Sequence, residues 1–396
     1  MIMHRIYRLY IKQIILLCIY VLIINFFTTK SLFAKTQVYY AGFSFGSVIP
    51  ESTYTNTLLE KGAVSFLDKL LISETKKISN NSINFNYDLL GDDVGEEDQN
   101  IMVLALDSEY IDSISIPEDK LTRTDIILNF QIIFFNAKNN FLVAAIPLEI
   151  TKIINSEKKL SKNEIQKYLK SIYENELVKY YSELLSKFEF KTKFKNRIGI
   201  KEVIFEEKAQ EYFNKNFSKK DIFLKNRFAK SLSSYLAFNN DIAVVPYNQD
   251  RTTRTFMLKF QNSQREIKLP DPDYHIYLTI RGFKNILFKE GNIDEQWIYG
   301  SYVNIKIIQP DYPDEEKKIK INERFKNAIN VELSKRSMKN KSSFEWIFYN
   351  DSLKMLFDNF SKQTIEIDKK WLKSANDNKK IVKTFKELKK VYDNCK

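Results

Sequence analysis

Two histidines, two cysteines and nine glycines are spread over 396 residues, and each shortage removes a class of chemistry. The cysteines are Cys18 and Cys395, so zinc sites built from clustered cysteines are excluded by count. The histidines are His4 and His275, too far apart for an H-E-x-x-H metal site. Histidine is the usual general base near neutral pH. Any Ser–His–Asp or Cys–His arrangement beyond the N-terminal segment therefore has to use His275, and no G-x-S-x-G elbow supplies a nucleophile. The glycines are scattered, as at Gly42, Gly46, Gly282, Gly291 and Gly300, so a P-loop or dinucleotide fingerprint lacks material. No cofactor is expected.

Long hydrophobic runs are also scarce. "IILLCIYVLIINFF", from Ile14 to Phe27, is 14 residues long and follows Arg5, Arg8 and Lys12 with no acid among them. A membrane-crossing helix needs about 20 residues. A secretory h-region needs roughly 7–15, behind a basic start and ahead of a small-residue cleavage site. Ala34 at −1 and Leu32 at −3 place that cut between Ala34 and Lys35. The expectation is a signal peptide over 1–34 and an exported, periplasmic chain. The alternative is an uncleaved N-terminal anchor, which leaves the domain on the same side of the membrane. Cys18 lies inside the apolar run with no small residue before it, so it is not a lipoprotein cysteine.

Removing 1–34 takes away Arg5, Arg8, Lys12 and Lys30 and no acid, which lowers the formal charge from +12 to +8. The remaining lysines alternate with acids, as in "SEKKLSKNEIQKYLKSIYENE" (156–176), the pattern of a solvated helix face. No nucleic-acid partner is expected. Attraction to an anionic membrane surface or cell-wall polymer is compatible with the charge.

The elements alternate in type. "TQVYYAGFSF" (36–45) reads as a buried strand, and Leu59, Ala63, Phe66, Leu67, Leu70 and Leu71 form a helical stripe. Strands are expected at 82–90 and 100–111. A hairpin over 124–153 turns at "NAKNN" (136–140). Ser161 and Glu164 form a capping box ahead of a helix over 162–187. A boundary falls near 190–200, followed by helices at 206–216 and 221–238 and a short buried strand in "NNDIAVVPYN" (239–248). Two long strands, 275–289 and 296–310, flank "EGNID". Ile321, Phe325, Ala328, Ile329 and Leu333 then read as a helix over 320–335, and two further helices follow, ending near 360 and 394.

This is an α/β pattern tending to α+β: two domains of mixed sheets with packed helices, related to each other, and a helical C-terminus. The expected boundaries are 35–195, 196–335 and 336–396. In each half a buried strand precedes a two-strand unit (124–151 and 275–309) and a helix (162–187 and 320–335). This element order and the "DIAVVPY" strand resemble the periplasmic α/β modules of curli-secretion lipoproteins and of the amino-terminal domain of TolB proteins. Neither a lipobox cysteine nor propeller repeats accompany the resemblance, which implies fold and not function.

Three residues have metal-ligand spacing. Asp271, Asp273 and His275 in "LPDPDYHIYL" lie at i, i+2 and i+4, on one face if the chain is extended. Pro270 and Pro272 make the same stretch an irregular entry to a strand, where solvated aspartates are common. The acidic loop "DDVGEED" (92–98) lacks EF-hand spacing. In the last helix Ile381, Phe385, Leu388 and Tyr392 share one face and lysines the other, so it packs in the fold or lies on an anionic membrane as a peripheral contact.

The expected function is an exported envelope protein that binds or assembles an envelope protein or polymer. The alternative is a hydrolase acting on an envelope polymer through carboxylates or a site around His275. Amino-terminal sequencing of the exported protein should begin at Lys35; an intact Met1 would refute cleavage.

Overall fold

The computed structural model describes residues 35–47, 51, 53–59, 64–87, 98–116, 120–217, 221–247, 254–260, 263–314, 318–336 and 341–396. The leader over 1–34 with its Ala34 cleavage position, the acidic loop at 91–97 and residues 218–220 lie outside them, and Lys35 is the first residue described. Residues Gln37–Lys396 form one compact unit.

Sheet A starts with β1 (Thr36–Phe45), whose aromatic run is buried. Helices α1 (Tyr54–Leu59) and α2 (Val64–Lys77) follow, then β2 (Ile83–Asn86) and three long strands, β3 (Asn100–Ile116), β4 (Leu121–Asn136) and β5 (Phe141–Ser156). β1 runs parallel to β3, and β3, β4 and β5 form an antiparallel meander. The even-numbered side chains of β4, from Ile126 to Phe134, pack against α2 and α3. Helix α3 runs through Lys162–Ser171, a π-helical stretch Ile172–Leu177 and Val178–Lys187. Its capping box is present: Glu164 accepts from the Ser161 amide at 2.8 Å and the Ser161 hydroxyl accepts from the Glu164 amide.

Sheet B starts with β6 (Ile198–Phe205), then α4 (Glu207–Asn216), α5 (Asp221–Asn240) and β7 (Val244–Val245). A hairpin, β8 (Thr255–Lys259) and β9 (Gln264–Lys268), leaves this segment and joins sheet A. The long strands β10 (Tyr274–Glu290), β11 (Asp294–Ile308) and β12 (Ile319–Ser334) follow, and α6 (Lys341–Lys362), α7 (Lys369–Ala375) and α8 (Ile381–Asp393) end the chain. β6 is parallel to β10, and β10, β11 and β12 form a second antiparallel meander.

The strand orders coincide. Sheet A reads β2-β1-β3-β4-β5 before its hairpin, and sheet B reads β7-β6-β10-β11-β12. In both, two helices separate the first strand from the short outer one, and a long helix follows the meander, α3 in one and α6 in the other. The correspondence differs from the one expected from sequence. Residues 320–335 are β12 and not a helix, because Ile321, Phe325, Ile329 and Leu333 recur every four residues, a spacing that suits both the two-residue strand period and the helical one. Of "NNDIAVVPYN" only Val244 and Val245 pair as strand. The counterpart of β1 is β6, inside the stretch that reads as a boundary.

The layers alternate. α2 and α3 cover one face of sheet A. α5 and α6 lie between its other face and sheet B. From Arg227 to Ser234 every side chain of α5 is buried, more than two turns with no solvent side. The β8–β9 hairpin covers the remaining part of that second face, with Phe256, Leu258 and Ile267 on Ile101, Val103, Ile133 and Phe135. Single pairs, Phe45–Lys259 and Phe141–Lys268, close β1, β3, β4, β5, β9 and β8 into a ring. Gly46 permits the closure, since a Cβ there would lie 2.6 Å from the Phe256 ring. The apolar side of α8 is in the core, with Phe385 against Phe325 and Phe360, while Lys383, Lys386, Lys389 and Lys390 face solvent. Cys395 is buried, and burial pushes its thiol up to about 12, so it is a poor nucleophile. Among the described residues no helix is long and apolar enough to cross a membrane.

One carboxylate fixes the bend in β1. The register slips between Tyr40 and Phe43, where Gly42 adopts φ +94°. Asp68 of α2 accepts from the Phe43 amide at 2.8 Å and the Tyr40 hydroxyl at 3.3 Å. Burial raises its pKa to about 6, against these two bonds, which lower it. Folding thus favours the protonated form. The associated stability is fully present below about pH 4 and is lost as pH rises through about 6, a difference of about 2–3 kcal/mol. Asp68→Asn should flatten the pH dependence of stability in that window, measured by urea unfolding; an unchanged slope would show that Asp68 does not set it.

Candidate functional site

The three residues with metal-ligand spacing lie at the entry to β10, each with its own protein partner. Asp271 pairs with Arg254 and lies 3.9 Å from Lys201. Asp273 accepts from the Arg197 amide at 2.6 Å. His275 is half-buried, and burial together with Lys201 lowers its pKa against the pull of Asp271. Among the described residues no group of three or more His, Cys, Asp or Glu is arranged to hold a metal ion.

The largest concentration of buried charge lies between sheet A and the α5–α6 layer, a seam that sequence reading did not identify. Four cations paired with carboxylates cross or brace it. Lys230 of α5 lies 3.1 Å from Asp107 of β3, and Arg227 lies 2.9 Å from Asp112. Lys354 of α6 lies 2.7 Å from Glu149 of β5. Arg123 of β4 forks between Asp125, at 2.7 and 3.1 Å, and Asp351 of α6, at 2.8 and 2.9 Å. Burial acts to lower the pKa of Arg123, but the bonds to Asp351 and Asp125 outweigh it and raise the pKa. Between these contacts Asn129 donates to Ser108 at 3.0 Å. Asn129 Oδ1, Gln131 Oε1 and Ser231 Oγ are buried without a hydrogen-bond partner. The sequence does carry a signal for this face: Asn129 and Gln131 interrupt "IILNFQIIFF" at alternate positions, so one side of β4 is polar where the other is wholly apolar.

At one end of the seam Ser47 follows β1 and meets Asp107 and Lys230. Its single hydroxyl proton is within reach of both the Asp107 carbonyl, at 2.9 Å, and the Asp107 carboxylate, and the oxygen accepts from Lys230 at 3.4 Å. A Ser–Lys pair is catalytic only if the amine is neutral and can take the hydroxyl proton. Here Lys230 is committed to an ion pair, 3.1 Å from Asp107 Oδ2 and 3.2 Å from the Asp107 carbonyl, and lies farther, at 3.4 Å, from Ser47 Oγ. The cluster is a clamp that ties the end of β1 to β3 and α5.

The exposed polar surface lies on sheet B. Its inward residues, such as Ile276, Leu278, Val303, Ile305, Ile321 and Phe325, are buried. Tyr277 and Thr279 of β10, Tyr302 and Asn304 of β11, and Asn322 and Arg324 of β12 alternate with them on the outward face and stay half-buried or exposed. At one side of this face a polar groove of about 420 Å³ is bounded by Glu206, Thr279, Asn304, Asn322, Glu323 and Arg324 and by the 376–378 loop. That loop is anchored. Asn376 donates to the Arg324 carbonyl at 2.8 Å, and Asn376 and Asn378 engage the two Glu323 oxygens. Glu206 is 3.5 Å from Arg281, and Asn304 donates to Asn322 at 3.1 Å.

Compared with protein-family models, with curated proteins and with solved structures, the chain matches none. The outline likeness to curli-secretion and TolB modules carries no further argument.

The seam predicts strong coupling. Lys230→Met and Asp107→Asn each strand a buried charge or its partner, and each should cost about 3–5 kcal/mol in urea unfolding. The double variant should recover about 2 kcal/mol of their sum. Additive losses would show that the two do not act as a pair.

Proposed function

We propose that this chain is an exported envelope protein that binds or assembles an envelope component, and that it does so through the outward face of sheet B. The observation that carries this reading is the repeated strand order. In the first repeat the face opposite its own helices is a partly polar docking surface, occupied by α5 and α6 through paired side-chain charges. In the second repeat the equivalent face carries Tyr277, Thr279, Tyr302, Asn304, Asn322 and Arg324, all half-buried or exposed, and Thr279, Asn304, Asn322 and Arg324 border the polar groove. The leader pattern of residues 1–34 supports a location for that face outside the cytoplasm, in the periplasm once the leader is cut. The exposed lysines of α8 favour attraction to an anionic surface in the same compartment, although its apolar side is committed to the core.

A hydrolase working on an envelope polymer is the second reading, and Glu206, Glu323 and Asp377 around one groove favour it. Against it, both Glu323 oxygens are engaged by amide donors that hold the 376–378 loop in place.

Co-sedimentation with isolated cell envelopes tests the binding reading. The exported protein should pellet with them, and Asn304→Trp, which places a large ring over the groove, should weaken the association by about tenfold or more. Equal pelleting of both proteins, or none of the unmodified one, would overturn it.

A further inference from the structure

The groove on sheet B has a chemistry that narrows its ligand, an argument that rests on the binding role proposed above. Its lining has no apolar wall: four asparagines, a threonine, three carboxylates and one guanidinium form it. A lipid chain or an apolar peptide anchor needs hydrophobic lining, which pockets for such ligands have in excess. Of its three acids, Glu206 pairs with Arg281 and Asp377 with Lys326, and Arg324 is balanced by Glu323 in the same lining, so the groove has no excess of positive charge to hold a polyanion. Amide, carboxylate and guanidinium groups present two or more polar atoms in one plane. That geometry matches pairs of neighbouring hydroxyls, each of which donates and accepts.

The groove is also held in shape before any ligand arrives. Glu323 and the Arg324 carbonyl fix Asn376, and the Asn376 side chain accepts from the Asn378 amide at 2.7 Å. The Asn378 side chain in turn accepts from the Lys380 amide at 2.8 Å. Groups positioned this way lose little freedom on binding. Arg324 is exposed and Thr279 half-buried, and both line the groove. Beside them on the same face stand Tyr277 and Tyr302, two residues from Thr279 and Asn304 and half-buried. Their phenol rings are the flat apolar surfaces that the C–H face of a sugar ring can cover.

We propose that this groove is a binding site for a neutral, polyhydroxylated ligand: a glycan segment laid along β10–β12, hydrogen-bonded by Arg324, Thr279, Asn304 and Asn322. Recognition is non-covalent, and no bond is made or broken.

Titration of the purified exported protein with cello-, malto- and chito-oligosaccharides, and separately with heparin as a polyanion, tests this, with binding followed by calorimetry and by tyrosine fluorescence. At least one neutral oligosaccharide should bind saturably and resist displacement by heparin. Arg324→Ala, an exposed change, should weaken it about tenfold, and Thr279→Trp should abolish it while thermal unfolding stays near that of the unmodified protein. Binding of heparin alone, binding insensitive to both variants, or no binding across the panel would overturn the proposal. If the oligosaccharides fail while envelope pelleting still depends on Asn304, the ligand class is wrong and the envelope role stands; if both fail, both readings fall. Release of reducing ends that Glu206→Gln abolishes would keep the glycan and overturn the non-enzymatic role.

Discussion

The architecture depends on a helix that has no solvent face. Over Arg227–Ser234 α5 is enclosed by sheet A on one side and the sheet B half on the other, yet it carries an arginine, a lysine and three serines there. A lone charge in such a place costs several kcal/mol, so each cation needs a carboxylate at a fixed height on the facing strand. Asp107 and Asp112 on β3 supply two, five positions apart, and Lys230 and Arg227 meet them three positions apart on the helix. Helix and strand then have one register in which both pairs close. Apolar contacts alone tolerate sliding; this pair of charges does not. The net stability gained from such pairs is small, and their effect is to select one arrangement of two layers that would otherwise pack in several.

With that register set, the repeated strand order has a physical consequence. A mixed sheet with helices on one face leaves its other face in search of cover. The first repeat finds it in the helices of the second and in the β8–β9 hairpin. Among the described residues no further repeat covers the second sheet, and its outward strands carry hydroxyls, amides and charges in place of the apolar side chains that would demand burial. That composition allows the surface to face water and still hold a polar groove.

Much of the element order was legible in the sequence because period and turn chemistry agreed. The strand at 36–45, the hairpin turning after Asn136 and the helix capped by Ser161 all stand where the pattern put them. β12 was misread because its apolar residues fall at every fourth position, where strand and helix cannot be told apart without the intervening charges. β6 was missed because basic residues on its approach masked a short alternating run. The seam was hidden for a different reason. Its partners are separated by 115 residues for Arg227 and Asp112 and by 228 for Arg123 and Asp351, and no local pattern links them. Only the polar side of β4 hinted at it. The groove needs β6, three strands of one sheet and a loop 50 residues later, so its lining is visible in three dimensions alone.

The packing of the last three helices sets when the molecule can finish folding. Phe385 completes a cluster with Phe325 and Phe360, and Cys395 is itself part of the core. A chain that emerges amino terminus first has α4 ready for β10 but presents β11 and β12 with their inward face bare until α6 to α8 follow. Through that interval the sheet is a sticky, unfinished edge, and an escort that holds nascent apolar strands apart has its longest task here.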